Sequence, residues 1–139
     1  MKSRYALALA MTMLCHVTGS AHEYYVKSFT VIHPWAEQTK DGASTADVFA
    51  KFEQISAGDK LISAHTTFAN KVELRDSKDV LTKRPIVLEE GKTLELQPGT
   101  PHLTMVGLKE PLQWGRSYPM TLVFEKSGPV AVMISIGAH

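Results

Sequence analysis

Polar and apolar residues alternate along several short segments of the chain, which is the pattern of strands with one buried face. In residues 46–53 the alternate positions Ala46, Val48, Ala50 and Phe52 are apolar. Turn-forming pairs such as Pro98-Gly99 separate the segments. The pattern predicts strands over residues 26–32, 46–53, 61–66, 71–75, 93–96, 118–125 and 130–136, another beginning at residue 102, and short β-like runs at 80–83 and 86–88.

About eight or nine short strands, with no helical pattern after residue 21, predict an all-β fold. Strands of this length and spacing are typical of a β-sandwich or a small Greek-key barrel. We expect His33-Pro34-Trp35 to end the first strand, because a residue before proline is restricted to extended geometry. We also expect residues 89–92 to form a hairpin turn.

The first 21 residues have the features of a secretory signal peptide. Lys2 and Arg4 precede an apolar run over residues 6–15 that is too short to span a bilayer, and Gly19-Ser20-Ala21 supplies small residues for cleavage. We expect residues 1–21 to be removed, leaving His22 as the first residue of a single domain over residues 22–139. The prediction is a periplasmic protein with no membrane insertion after cleavage.

Composition narrows the function classes. Cys15 is the only cysteine, and it follows Leu14 rather than the small residue that a lipoprotein signal requires, so we assign it to the signal peptide. The mature chain then has no disulfide and no thiolate site. Removing Lys2 and Arg4 from 15 basic residues leaves 13 against 14 acidic ones, a net charge near −1. With no basic block, we expect no nucleic-acid partner.

Candidate chemistry is limited to histidines. The chain has no Gly-x-Ser-x-Gly elbow, phosphate loop or His-Glu-x-x-His zinc helix, so we do not expect an enzyme. His102 follows a turn and begins a strand, a place from which an imidazole can reach a ligand. His22, if it is the first residue of the mature chain, could chelate Cu(II) through its amine and its ring. His33 suits packing on Trp35 or a hydrogen bond, and His65 suits a solvent-facing strand position.

Strand parity separates His102 from the methionines. His102 and Thr104 point to one face of their strand, whereas Leu103 and Met105 point to the other. Met105 is therefore expected in the core, as is Met120, which shares a face with Leu122.

The order of short motifs along the chain resembles the periplasmic copper chaperones of the PCu(A)C type. No single motif is specific, but together they cover most of the chain after residue 21. They are His33-Pro34-Trp35-Ala36, Val72-Glu73-Leu74, Arg84-Pro85, residues 94–99 leading into His102-Leu103, Gly107-Leu108-Lys109, Pro111-Leu112 and residues 121–128. The resemblance implies a cupredoxin-like β-barrel with a surface Cu(I) site of two histidines and two methionines, which delivers copper to cytochrome oxidase. Thioether and imidazole ligands suit soft Cu(I).

The ligand positions depart from the pattern that the resemblance implies. Arg75 stands where the first histidine is expected, Lys83 where a methionine precedes Arg-Pro, and Thr104 where the closing His-x-Met has its methionine. Only His102 matches. Two cations and the loss of both sulfurs oppose Cu(I) binding, so we expect copper to be bound weakly or not at all at this place.

Two functions remain open from the sequence. The first is a copper-chaperone-like protein that binds copper through His102, His22 or His65 and passes it to a copper-accepting periplasmic protein. The second is a metal-free binding module in which Arg75, Lys83, His102 and Thr104 form a cationic patch. That patch would accept a carboxylate, a phosphate or an acidic partner surface.

Overall fold

The computed structural model describes residues 23–137, and these form ten β-strands. The strands are β1 Glu23–Val26, β2 Phe29–Ala36, β3 Thr45–Glu53, β4 Asp59–His65, β5 Ala69–Arg75, β6 Ile86–Leu88, β7 Leu94–Leu96, β8 His102–Leu108, β9 Ser117–Phe124 and β10 Gly128–Ile136. The predicted signal peptide, His22 and His139 lie outside the described residues. Among residues 23–137, no helix is long and apolar enough to cross a membrane.

The strands form a curled sheet in the order β5-β8-β3-β2-β10-β9-β4-β6, with β1 added to β2 and β7 added to β3. Strand β3 pairs with different strands along its length. Its residues 45–48 pair with β8, and its residues 49–53 pair with β2 or β7. Among the described strand pairs only β2 with β10 is parallel. The all-β fold predicted from alternation is confirmed, with one or two more strands than expected.

The core lies inside the curl of the sheet. Phe29, Phe52 and Phe124 meet there, with ring centroids 4.8 Å apart for Phe29–Phe124 and 6.1 Å apart for the other two pairs. Met105 and Met120 are 1% and 2% exposed, so the prediction that both belong to the core is confirmed. Burying side chains of this size stabilises the fold by about 1.5–3 kcal/mol each.

The first predicted strand is wrong in its bounds. Residues 27–28 form a turn between β1 and β2, and β2 continues through Pro34 to Ala36. The pairing register with β3 shifts between Ile32 and Trp35, and His33 has a φ of 48°. Such a bulge interrupts the hydrogen-bond ladder locally. The strand can therefore include proline, which has no N–H to donate.

Two other local predictions are also corrected. Residues 89–92 do not close a hairpin, because β6 pairs with β4 and β7 pairs with β3. Residues 80–83 form no strand and contribute only the bridge between Leu81 and Arg75. At residues 89–92 the chain does turn, but the strands on either side pair with partners distant in sequence, which a local pattern does not reveal.

A buried aspartate holds the loop that joins β9 to β10. Asp59, 4% exposed, accepts hydrogen bonds from the amides of Lys60 and Lys126 at 2.8 Å and from the Ser127 amide at 2.9 Å. The Ser127 hydroxyl donates a further bond at 2.7 Å. Asp59 therefore joins the start of β4 to the β9–β10 loop.

Gly107 offers a test of close packing within β8. Its φ is 75°, and an added Cβ would lie under 3.0 Å from three side-chain atoms of Asn70. Gly99 has a similar φ of 88°, but a Cβ there would meet nothing within 4 Å. We expect Gly99→Ala to cost about 1 kcal/mol of unfolding free energy through its backbone alone, and Gly107→Ala about 1–3 kcal/mol more.

Urea unfolding of the two glycine variants measures the difference. Adding Asn70→Ala to Gly107→Ala removes two of the three contacting atoms and should recover part of the loss. Equal destabilisation by Gly107→Ala and Gly99→Ala would contradict the packing argument.

Candidate functional site

Three adjacent antiparallel strands, β3, β8 and β5, bring a set of polar side chains together. Thr104 of β8 pairs with Asp47 on one side and Glu73 on the other, and His102 pairs with Arg75. Residues that are 57 positions apart, such as Asp47 and Thr104, therefore become neighbours. This surface is the place where sequence analysis expected a ligand-binding site.

His102 lies at the centre of this group and is 4% exposed. Its Nδ1 is 2.7 Å from the Thr100 carbonyl oxygen, which can only accept, so Nδ1 carries a proton and donates. Its Nε2 is 3.1 Å from Asp79 Oδ1 and 3.5 Å from Asp47 Oδ1. The Phe49 ring lies beside the imidazole at a centroid distance of 5.9 Å. Packing and the carbonyl together fix Nε2 toward the two carboxylates.

A tight loop after β5 directs Asp79 toward His102. Asp76 Oδ1 accepts hydrogen bonds from the Lys78 and Val80 amides at 2.9 and 3.0 Å, and the Asp79 amide donates to the Asp76 carbonyl at 2.9 Å. The hydrogen bond from the Val80 amide, followed by that from Lys78, lowers the pKa of Asp76. Asp79 has a φ of 62°, a conformation that aspartate and asparagine adopt more readily than most residues.

Asp47 is held from the opposite side. The Thr104 hydroxyl, in a residue 4% exposed, donates to Asp47 Oδ1 at 2.7 Å. This bond fixes the carboxylate that faces His102 and uses the only proton of the hydroxyl.

Arg75 is committed mainly to Glu73. Its Nε and Nη2 donate to Glu73 Oε1 at 3.1 and 2.7 Å, and its Nη1 donates to the Asp79 carbonyl at 2.9 Å. Lys71 Nζ lies 3.2 Å from the other oxygen of Glu73. Hydrogen bonds from Arg75 and then Lys71 lower the pKa of Glu73, which stays ionised between them. Arg75 thereby acts as a support for the Asp79 loop.

The predicted cationic patch is not present in this form. Arg75, His102 and Thr104 are brought together, but the carboxylates of Asp47, Glu73 and Asp79 lie among them and offset their positive charge. Lys83 is exposed, and within residues 23–137 it makes no hydrogen bond or ion pair with the other three. Sequence analysis did not include the acidic residues that neighbouring strands bring to this surface.

The donor set around His102 does not fit Cu(I). It comprises one imidazole, two carboxylates and a hydroxyl, with a guanidinium nearby. Cu(I) prefers thioether and imidazole donors, and Met105, the nearest methionine along β8, is buried in the core. Hard oxygen donors have replaced the sulfur that the resemblance implies.

Sequence analysis missed Asp47 and Asp79. Asp47 had a usable signal, because it is a lone acidic residue between the apolar positions Ala46 and Val48 of a strand. Asp79 lies in the polar run Asp76-Ser77-Lys78-Asp79, which is typical of a turn and carries no signal of a ligand. Its role depends on the pairing of β5 with β8, which alternation alone does not predict.

A second group of polar residues lies at the beginning of β1. Glu23, its first residue, pairs with Ile32, the residue before His33. His33 and Trp35 line an open cleft together with Glu37, Lys51 and Glu95. His65 is exposed at the end of β4, as expected, and lies outside both groups.

Comparisons with known proteins place the chain near copper-binding domains. The family model described as LpqE-like matches residues 29–136. A search of the curated proteins found no match. Among solved structures, the apo PCuAC domain from PmoF1 is 30% identical with a TM-score of 0.78, over 85% of this chain and 100% of that chain.

Two further structures extend the comparison. The copper-bound PCuAC domain from PmoF2 is 25% identical with a TM-score of 0.75, over 85% of this chain and 99% of that chain. The solution structure of the Cu(I) form of DR1885 from Deinococcus radiodurans is 18% identical with a TM-score of 0.63, over 85% of this chain and 82% of that chain. At that identity the likeness concerns the fold alone.

Proposed function

Because this chain belongs to the LpqE-like family and carries a PCuAC-type domain, we propose that it binds copper outside the cytoplasm and passes it to a partner protein. The resemblance to PCu(A)C proteins and the cupredoxin-like all-β fold are both confirmed. The copper-bound state of the PmoF2 domain supports the binding part of the proposal. Delivery to a copper-accepting periplasmic protein is the finer part, and it involves no catalytic step.

We place the protein in the periplasm. The description of the matching family names a lipoprotein, which supports a location outside the cytoplasm. Residues 1–21 have the composition of a signal peptide, with Cys15 following Leu14 inside its apolar run. Cleavage after Ala21 would leave a domain over residues 22–139 that begins with His22.

Copper would then be held by nitrogen atoms at the beginning of β1. A first-residue His22 offers its α-amine and its imidazole on one residue. The observation that carries the proposal is the β1–β2 register: Glu23 follows His22 and pairs with Ile32, which precedes His33. Two ring nitrogens and one amine suit the tetragonal geometry that Cu(II) prefers.

The backbone at His33 supports this choice. Its φ of 48° is left-handed and lies at a bulge, immediately before a proline. A side-chain-bearing residue held in that region costs about 1–3 kcal/mol, and such strain concentrates at functional positions. Glu37 and Glu95 line the same cleft and add negative charge that favours a cation.

Copper titration of the mature protein tests the proposal. We expect one Cu(II) per chain with nitrogen ligands visible in the electron paramagnetic resonance spectrum, and weaker Cu(I) binding in a competition assay. His33→Ala should lower the Cu(II) affinity, whereas His65→Ala, at an exposed histidine outside the cleft, should leave it unchanged. Purified protein that binds no Cu(II) would overturn the assignment, and equal Cu(II) affinity in His33→Ala and the parent would remove His33 from it.

A further inference from the structure

The contact between His102 and two carboxylates needs a positive charge between them. Because the Thr100 carbonyl takes the Nδ1 proton, the lone pair of a neutral His102 ring lies on Nε2. That nitrogen faces Asp79 Oδ1 at 3.1 Å and Asp47 Oδ1 at 3.5 Å, and both oxygens are acceptors. The three atoms attract one another only when a proton on Nε2 or a metal ion links them.

We propose that Asp47, Asp79 and His102, the Asp–Asp–His cluster, bind a divalent transition-metal ion of the Zn(II) class. The site occupies the surface where the family resemblance implies Cu(I), but with a different donor set. It shares no residue with the proposed Cu(II) ligands, so the two assignments stand or fall separately.

The separations of the two carboxylates from Nε2 fit a tetrahedral ion. Two ligands each bound at about 2.0–2.1 Å to tetrahedral zinc lie about 3.3 Å apart. The Nε2 to carboxylate separations of 3.1 and 3.5 Å lie on either side of that value, and all three atoms lie within 4.8 Å of one another. An imidazole with two carboxylates forms a mixed nitrogen and oxygen set that favours a divalent ion over Cu(I).

The surroundings orient the ligands as metal sites require. Metal-ligating histidines commonly donate their second ring N–H to a backbone carbonyl, which is the role of Thr100 here. The Thr104 hydroxyl in turn donates to the ligating oxygen of Asp47. Residues around the ligands thus fix both the ring and one carboxylate before any ion arrives.

The cluster combines a buried nitrogen with accessible oxygens. The side chain of His102 is 5% exposed, whereas those of Asp47 and Asp79 are 42% and 63% exposed. An ion can therefore enter from solvent and retain a water molecule as its fourth ligand, the arrangement of open zinc sites.

Arg75 does not occupy the cation position. Its Nη1 lies 3.9 Å from Asp79 Oδ1, beyond hydrogen-bond distance, while its Nε and Nη2 bind Glu73. Asp79 Oδ1 is closer to His102 than to Arg75. The charge of the guanidinium is offset by Glu73, which leaves the carboxylate of Asp79 available to an ion.

Zn(II) titration of the mature chain carrying both His22→Ala and His33→Ala tests the proposal without the two imidazole rings of the proposed copper site. We expect one Zn(II) per chain and a higher unfolding temperature in its presence. The double variant Asp47→Asn with Asp79→Asn, in the same background, should bind Zn(II) more than about 100-fold more weakly. Outer-shell changes alone lower the metal affinity of a site by about 10–100-fold. Asparagine retains an acceptor for Thr104 and tolerates the φ of residue 79.

A matched variant and a second readout complete the test. Asp41→Asn removes a carboxylate from an exposed loop and should bind Zn(II) like its parent. Zn(II) should also shift the Nε2 resonance of His102 in a nitrogen NMR spectrum, a change that a merely structural role would not produce. Unchanged Zn(II) binding in the double variant, or no binding in the parent, would overturn the proposal and leave a proton as the bridge.

Discussion

One glycine added before His22 is expected to lower the Cu(II) affinity of the mature protein by at least about 100-fold. Changes to outer-shell residues already lower metal affinity by up to about 100-fold, and the loss of a direct ligand should cost at least as much. The added residue converts the amine of His22 into a peptide nitrogen, which binds Cu(II) only after it loses its proton. The ring of His22 then loses the partner on its own residue. Competition titration with a Cu(II) chelator measures the change.

Folding controls are simple for this variant. The addition precedes Glu23, the first residue of β1, and leaves the β1–β2 pairs unchanged. The far-ultraviolet spectrum and unfolding midpoint should therefore match those of the unextended protein. Full Cu(II) affinity in the extended chain would show that the first residue is not a ligand. If the Cu(II) affinity falls in the extended chain but not in His33→Ala, then His22 is a ligand and His33 is not.

Asp59→Ala is expected to lower the free energy of unfolding by about 3 kcal/mol or more, because it leaves four partly buried donors without an acceptor. The amides of Lys60, Lys126 and Ser127 and the Ser127 hydroxyl all lose their partner. Urea unfolding at neutral pH measures the effect. Asp41→Ala, at an exposed carboxylate in a loop, is the matched control and should change stability little.

The same residue gives stability a specific pH dependence. Burial alone would raise the pKa of Asp59, but hydrogen bonds from the Ser127 hydroxyl and from the Lys126, Lys60 and Ser127 amides outweigh it and lower the pKa. Its contribution is therefore complete above the unfolded value of about 3.9 and is lost as pH falls through the lower folded pKa. Asp59→Asn should remove this part of the acid dependence. Parallel stability curves for Asp59→Asn and the parent would contradict the argument.

Alternation predicted the strands because burial of one face is a local property of the sequence. Residues 46–53 and 118–125 were assigned within one residue of β3 and β9, and the burial of Met105 and Met120 followed from side-chain parity. The continuation of β2 through Pro34 was not predicted, since the bulge depends on how β2 pairs with β3. Which strands become neighbours is a property of the whole sheet.

The candidate site was predicted only in part for the same reason. His102, Arg75 and Thr104 were predicted to lie together, and the pairing of β5 with β8 does make them neighbours. The carboxylates beside them were not predicted, since Asp47 comes from β3 and Asp79 from a loop with a left-handed residue. Asp47 had a local signal in the sequence, but the contacts of Asp47 and Asp79 with His102 depend on how β3, β5 and β8 pair.

The pairing of β2 with β10 has a consequence for how the chain reaches its folded state. Phe29–Ala36 and Gly128–Ile136 stand at opposite ends of the described chain, yet they lie side by side. Sheets built from such distant segments fold slowly, on the order of milliseconds to seconds. A chain still being synthesised therefore cannot close its sheet until the last strand has emerged. Until then the end of β2 at Trp35 and Ala36 lacks its partner strand, and a chaperone that binds extended segments has time to engage it.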